Sequence, residues 1–191
     1  SFLSLAQNLF EVSFRRAGRS DVEVFYQVVE DILGDEGRQC RAEVNIQLVS
    51  LSESLLVSGA HAITVQADLP FSAATALADA IVLPGGGPGT QNMLACPPLH
   101  QRLHAHLAAE KHVAAICAAP MVLAKAGILK GRKACCFPGC EAKLTEGGAI
   151  VTAYNVVTDG KITTSRGAGT AAHFGIELAR LLVGDKIATD V

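Results

Sequence analysis

The chain has 191 residues, half of them hydrophobic, and a formal net charge of −2 at pH 7. This size suits one continuous domain over residues 1–191 with a substantial core. The near-neutral charge gives no support to binding of nucleic acid or of an anionic membrane surface, and no stretch reaches the roughly 20 apolar residues that a membrane span needs.

Strand-like runs and helical patterns alternate along the chain. We predict strands at residues 9–14, 44–49, 62–66, 80–83, 113–116 and 161–164. Helical patterns lie at residues 22–33, 99–109, 121–126 and 171–183. This alternation predicts an α/β fold: a doubly wound, flavodoxin-like, mostly parallel sheet with helices on both faces. In that architecture, ligands collect where the strands end.

A glycine-rich turn follows the predicted strand at 80–83. Gly85, Gly86 and Gly87 precede a helix that we expect to begin near Thr90. Glycines at such a place let backbone N–H groups face a pocket. A phosphate-binding loop is the competing interpretation, but neither the Walker spacing nor the GxGxxG spacing is present. We therefore assign the amides of this turn to an oxyanion hole.

A cysteine stands where the next predicted strand, at 113–116, meets the following helix. A strand–turn–helix elbow would expose the thiol of Cys117 at the sheet edge and point a helix N-terminus at it. Exposure of the thiol and the positive end of the helix dipole both favour the thiolate. The oxyanion-hole amides would then come from Gly85, Gly86 and Ala118. The alternative is that Cys117 is a small buried core residue.

A third turn of this kind carries Arg166 and Gly167, where the strand at 161–164 meets the helix at 171–183. The simplest interpretation of this turn is a capped helix start with a solvated arginine. Three such turns in one chain indicate the rim of a common pocket.

The chain contains six cysteines and no recognisable secretory signal. A reduced, cytoplasmic setting therefore fits better than a disulfide framework. Cys135, Cys136 and Cys140 invite a zinc interpretation, but no second Cys/His pair lies at ligand spacing. The histidines of the helix at 99–109 are better explained as a solvated face. We predict no metal site and no cofactor.

The three turns together resemble the ThiJ/YajL/PfpI superfamily, in particular the branch of the parkinsonism-associated deglycase and bacterial YajL. The similarity runs from about residue 62 to the end of the chain. This resemblance implies that Cys117 is a reactive nucleophile and that the protein is a homodimer with its pocket close to the subunit interface. The matching stretches are 80–86, Gln91, Asn92, 114–120 and 164–170.

The same resemblance implies a glutamate, on the turn after the first strand, that holds the thiol and acts as acid and base. Residues 18–23 match that turn with one acidic position lost, so the role falls to Glu23. A competing register would assign it to Glu11. We prefer Glu23, because it leaves a helix at 22–33 before the next strand; residues 34–43 then form an insertion.

Two departures from the family pattern bear on the chemistry. Ala118 stands where the protease-like members have a histidine, so a peptidase would lack its base. Phe137 stands where other members have a histidine before a proline, which removes imidazole assistance from that position.

The resemblance implies a cysteine enzyme of the glyoxalase III or deglycase type. Its substrates would be methylglyoxal and related α-oxoaldehydes, or their adducts with proteins, thiols or nucleotides. A redox sensor or chaperone that uses oxidation of Cys117 is the alternative, because the same residues serve both functions. A thiamine-related role has no recognisable thiazole or phosphate site in this sequence.

Overall fold

The structure, a computed structural model, describes residues 9–16, 44–58 and 64–185. Its strands are β1 (Leu9–Arg16), β2 (Val44–Ser50), β3 (Leu56–Ser58), β4 (Thr64–Gln66), β5 (Leu69–Pro70), β6 (Ala80–Leu83), β7 (His112–Ile116), β8 (Lys133–Ala134), β9 (Ile150–Val151), β10 (Val156–Asp159) and β11 (Ile162–Ser165). The described helices are α1 (Gly87–Leu94), α2 (Pro97–Ala108), α3 (Pro120–Lys125), α4 (Glu141–Glu146) and α5 (Ala171–Val183), with a 3₁₀ turn at Ala168–Thr170.

A mixed sheet of seven strands forms the centre of the fold, in the order β10-β11-β7-β6-β1-β2-β5. The strands β11, β7 and β6 run parallel to one another, and β5 runs parallel to β2. β1 is antiparallel to both of its neighbours, and β10 is antiparallel to β11. The fold is α/β, consistent with the flavodoxin-like prediction, with its parallel portion where the predicted strand-end turns lie.

The antiparallel edge strand β10 was missing from the predicted elements. Only Gly160 and Lys161 separate it from β11, and Gly160 has a φ of +63°. A connection this short permits only an antiparallel pair.

Helices cover both faces of the sheet, as predicted. The central strand β6 is apolar along its whole length and β7 from Val113 onward, because their alternate side chains enter two separate cores. One core packs α5 against the sheet through Ala80, Val82, Ala114, Ile116, Phe174 and Leu178. The other packs α1, α2 and α3 through Ile81, Leu83, Val113, Ala115, Met93, Leu99, Leu103 and Leu123.

Most predicted elements in the described ranges are confirmed within a few residues. The strand predicted at 80–83 and the helix predicted at 171–183 have those same bounds. α1 begins at Gly87, three residues before the expected start, because Pro88 suits the first turn of a helix. The predicted helix at 22–33 lies outside the described residues, and the single domain over 1–191 stays a prediction.

Candidate active site

Three turns meet at one edge of the sheet, because β6, β7 and β11 are parallel and neighbouring. Gly85 and Gly86 follow β6, Cys117 follows β7, and Arg166 and Gly167 follow β11. A hydrogen bond ties two of the turns directly: the Cys117 amide donates to the carbonyl oxygen of Ser165 at 2.9 Å. The structure therefore brings the predicted pocket residues of all three turns to the same edge.

Cys117 occupies a strained elbow between β7 and α3. Its φ is +65°, a region that residues with a Cβ seldom adopt. The backbone on both sides holds this conformation: the Cys117 carbonyl accepts a hydrogen bond from the Phe137 amide at 2.8 Å, and the Ala119 amide donates to Ile116 at 3.2 Å. The positive φ aims the side chain out of the strand toward the glycine turn after β6.

Gly85 makes that elbow sterically possible. A Cβ built on Gly85 would lie 2.5 Å from the Cβ of Cys117 and 3.1 Å from its Sγ. No side chain fits at that distance, so the close contact with Cys117 requires a glycine at position 85.

Two backbone amides point at the sulfur of Cys117. Burial raises the pKa of this half-buried thiol, and hydrogen bonds from the backbone N–H groups of Ala118 and Gly86 lower it, with burial the larger effect. The hydrogen bonds of the elbow thus favour the thiolate, whereas the thiol is half-buried and not exposed as predicted, and its desolvation opposes the charged form. The amides nevertheless lie where they can stabilise negative charge on or beside the sulfur.

Arg166 turns toward a neighbouring loop. Its guanidinium donates a hydrogen bond to the carbonyl of Ala153 at 3.3 Å, and its positive charge opposes the rise in the pKa of Cys135 and Cys136. Gly167 lies beside the ring of Phe137: a Cβ on this glycine would lie 3.4 Å from the ring. That ring is half exposed.

The segment from Phe137 to Cys140 reaches the site through its backbone, as the family histidine position at Phe137 implies; the approach of Cys140 was not predicted. The Phe137 amide donates a hydrogen bond to the Cys117 carbonyl. The Cys140 amide donates to the Phe137 carbonyl at 3.0 Å. Gly139, with a φ of +99°, closes this tight turn, and its amide donates to the carboxylate of Glu141 at 2.6 Å. A Pro-Gly pair inside the sequence Phe-Pro-Gly-Cys is the signal that could have identified the turn.

The predicted acid–base residue Glu23 lies outside the described residues. The competing residue Glu11 lies in β1, where its backbone pairs with Val49 of β2. The choice between the two stays a prediction.

Metal ligands do not converge in the part of the chain that the structure describes: no group of three or more His, Cys, Asp or Glu side chains there is placed to hold a metal ion. None of the helices described is long and apolar enough to cross a membrane.

Comparison with known proteins gives a family match over most of the chain. The model of the DJ-1/PfpI family matches residues 17–181. Protein DJ-1 homolog A of Arabidopsis thaliana is 35% identical over 153 residues, which are 79% of this chain and 39% of that protein. The chain thus spans well under half the length of this relative.

Two relatives carry names that state an activity. A glutathione-independent glyoxalase of Caenorhabditis elegans is 36% identical over 106 residues, 56% of either chain. A deglycase of Pyrococcus abyssi is 30% identical over 165 residues, 85% of this chain and 92% of that protein.

Solved structures of DJ-1 proteins share the fold. Oxidised DJ-1 of Toxoplasma gondii has a TM-score of 0.75 and 29% identity, covering 89% of this chain and 90% of that chain. DJ-1beta of Drosophila melanogaster has a TM-score of 0.74 and 28% identity, covering 86% of each.

Proposed function

The chain belongs to the DJ-1/PfpI family, and on that premise we propose that it is a cysteine enzyme of the glyoxalase or deglycase kind. Its substrate would be an α-oxoaldehyde such as methylglyoxal, free or already attached to an amine or a thiol. The observation that carries this proposal is the surroundings of one sulfur: Cys117 stands at a strained strand-end elbow with the amides of Gly86 and Ala118 directed at it.

The first step is addition of the Cys117 thiolate to the aldehyde carbon. A carbon–sulfur bond forms, and the carbonyl electron pair moves to oxygen, which becomes an alkoxide and then the hydroxyl of a hemithioacetal. Amides positioned around the attacking sulfur also lie close to this developing negative charge. Preorganised donors of this kind are worth about 10²–10³ in rate each.

A proton must then move between the two adjacent carbons of the adduct. Loss of the proton from the former aldehyde carbon and its return to the neighbouring carbon convert the hemithioacetal into a thioester of a hydroxy acid. Water cleaves the thioester, releases lactate when the substrate is methylglyoxal, and regenerates the thiol. We assign the proton transfer to Glu23, as the family resemblance implies.

The half-buried state of the thiol suits this chemistry despite its raised pKa. Partial burial limits the access of most solutes to the sulfur, while the two amides lower the free energy of its charged form. Because burial raises the pKa of Cys117, we expect turnover to increase with pH through the alkaline range.

The test is methylglyoxal consumption with detection of lactate. Cys117→Ala should abolish turnover, and Glu23→Gln should lower it by about 10²–10⁴, the usual worth of general acid–base help. Cys96→Ala is the matched control, because Cys96 is also half-buried but lies at the start of α2. Full turnover by Cys117→Ala would contradict the proposal, and full turnover by Glu23→Gln would move the acid–base role to another residue such as Glu11.

Redox sensing through Cys117 is the second candidate. The same amides that stabilise a thiolate would stabilise an oxidised, negatively charged sulfur, and one structural relative is an oxidised DJ-1. Absence of methylglyoxal turnover in the wild-type protein, with Cys117 still sensitive to peroxide, would favour this function.

A further inference from the structure

A second thiol lies beside the elbow. Two consecutive hydrogen bonds connect the backbones of the two cysteines: the Phe137 amide donates to the Cys117 carbonyl at 2.8 Å, and the Cys140 amide donates to the Phe137 carbonyl at 3.0 Å. Both cysteines are half-buried. The tight turn from Phe137 to Cys140 therefore holds Cys140 next to the reactive edge, although 23 positions separate it from Cys117 in the sequence.

The two thiols interact electrostatically. Burial raises the pKa of Cys140, and negative charge on Cys117 raises it further, followed by the charge of Glu141. A charge on one sulfur thus acts on the other. The turn between them is exposed at Phe137, Pro138 and Gly139, whereas Cys140 itself packs against the core that contains Leu123.

We infer that Cys140 is the resolving thiol of Cys117, and that a hydroperoxide converts the pair into an intramolecular disulfide. This inference rests on the reactivity proposed for Cys117. Hydrogen peroxide oxidises the Cys117 thiolate to a sulfenic acid and is reduced to water. The Cys140 sulfur then attacks the sulfenic sulfur; the S–S bond forms, the S–O bond breaks, and the hydroxyl leaves with the Cys140 proton as a second water.

The surroundings assign the two roles. Burial raises the pKa of both thiols; two amide donors oppose that rise at Cys117, whereas the charges acting on Cys140 add to it. We therefore assign the first oxidation to Cys117, which also stands at the strained elbow with a φ of +65°. Conversion of its thiolate to a neutral sulfenic acid removes one of the charges that keep Cys140 protonated, so oxidation of the first thiol activates the second.

The other cysteines of this region are poor partners for Cys117. Cys135 and Cys136 are buried. The Cys135 thiol donates to the carbonyl of Thr164 at 3.3 Å. Burial, then the charge of Glu141, raises the pKa of Cys136 to about 12. A thiol in that state does not supply the thiolate that attacks a sulfenic acid.

The experiment treats the reduced wild-type protein and the variants with hydrogen peroxide in excess of two equivalents, because a sulfinic acid consumes two peroxides and a disulfide one. The remaining thiols are then blocked by alkylation, and the peptides are mapped without reduction. We expect a cross-linked peptide pair that contains Cys117 and Cys140, in a protein about 2 Da lighter before alkylation. In Cys140→Ser, Cys117 should instead proceed to the sulfinic acid, about 32 Da heavier. Cys96→Ser is the matched control and should form the disulfide like the wild type.

Sulfinic acid on wild-type Cys117, formed as fast as in Cys140→Ser and without the cross-linked pair, would overturn the inference. A disulfide from Cys117 to any other cysteine would overturn it as well. The cross-link is mapped in the wild-type protein, so the result does not depend on the folding of a variant. Because the readout is the oxidation product and not aldehyde turnover, failure of this inference is distinct from failure of the proposed enzyme activity.

Discussion

At the level of single residues, the site depends on how closely two backbones approach. Cys117 adopts a positive φ, and Gly85 has no side chain. The turn after β6 can therefore lie against the thiol. The conformation of Cys117 and the glycine at position 85 depend on each other, because a Cβ at position 85 would collide with the Cβ of Cys117. That Cβ is fixed to the backbone and cannot move aside as the end of a long side chain can. A rigid contact of this kind is relieved only by movement of the backbone.

Gly85→Ala should therefore lower the free energy of unfolding by about 1–3 kcal/mol and reduce methylglyoxal turnover. The added methyl group would stand 2.5 Å from the Cys117 Cβ and push the glycine turn away from the sulfur. Urea unfolding measures the first effect, and lactate formation measures the second.

Gly87→Ala provides the control for this substitution. It adds the same methyl group two residues later, where nothing lies within 4 Å and where the backbone is not left-handed. Equal stability of the two variants would contradict the close contact between Gly85 and Cys117.

At the level of secondary-structure elements, one buried threonine joins the small β8–β9 pair to the main sheet. The Cys135 amide, immediately after β8, donates to the hydroxyl oxygen of Thr164 at 3.0 Å. Thr164 lies fully buried in β11, and the Cys135 side chain packs against the same residue. This connection also positions the segment that continues to Phe137 and the elbow.

Thr164→Val should cost about 1–3 kcal/mol of folding free energy, because it keeps the shape of the side chain but leaves the buried Cys135 amide without its acceptor. Thermal and urea unfolding report the loss.

Thr145→Val is the control for this prediction, since Thr145 is exposed and its hydroxyl bonds only at the surface, to the Glu141 carbonyl at 3.0 Å. We expect a change within about 0.5 kcal/mol there. A Thr164→Val protein as stable as Thr145→Val would show that the amide finds another acceptor.

For the whole molecule, sequence patterns predicted the centre of the fold better than its edges. β6 and β7 were predictable because a strand covered on both faces is a continuous apolar run. Strand direction was less predictable, since an apolar run has the same pattern in either direction. The antiparallel placement of β1 and the short strand β10 therefore appeared only in the structure.

The same limit applies to the site. The turns at Gly85, Cys117 and Arg166 carry local signals, and their meeting follows from the parallel strands that precede them. The turn at Phe137–Cys140 has a local signal as well, but nothing in the sequence indicates that its amide bonds to Cys117. Likewise, the sequence pattern predicts a helix directly after Cys117, but it does not indicate that burial raises the pKa of the Cys117 thiol.

Three histidines link the stability of the whole molecule to pH. Burial is the largest cause that lowers the pKa of each of His100, His106 and His112. His106 is fully buried; its Nδ1 lies 3.0 Å from the Arg102 carbonyl, and its Nε2 has no hydrogen-bond partner among the described residues. Protonation of these rings is thus less favourable in the folded state than in the unfolded chain.

The sign of the resulting pH dependence follows from that difference. Above the ordinary histidine pKa of about 6.5, neither state is protonated and the stability is complete. As the pH falls below that value, the unfolded chain binds protons that the folded protein does not, so the free energy of unfolding declines by at most about 1.4 kcal/mol per pH unit for each histidine. His106→Gln should make this decline shallower in urea unfolding measured between pH 7.5 and 5. Thr145→Val, at an exposed position without a titrating group, should leave the slope unchanged. A slope equally steep in both variants would mean that His106 takes up its proton as readily in the folded protein as in the unfolded chain.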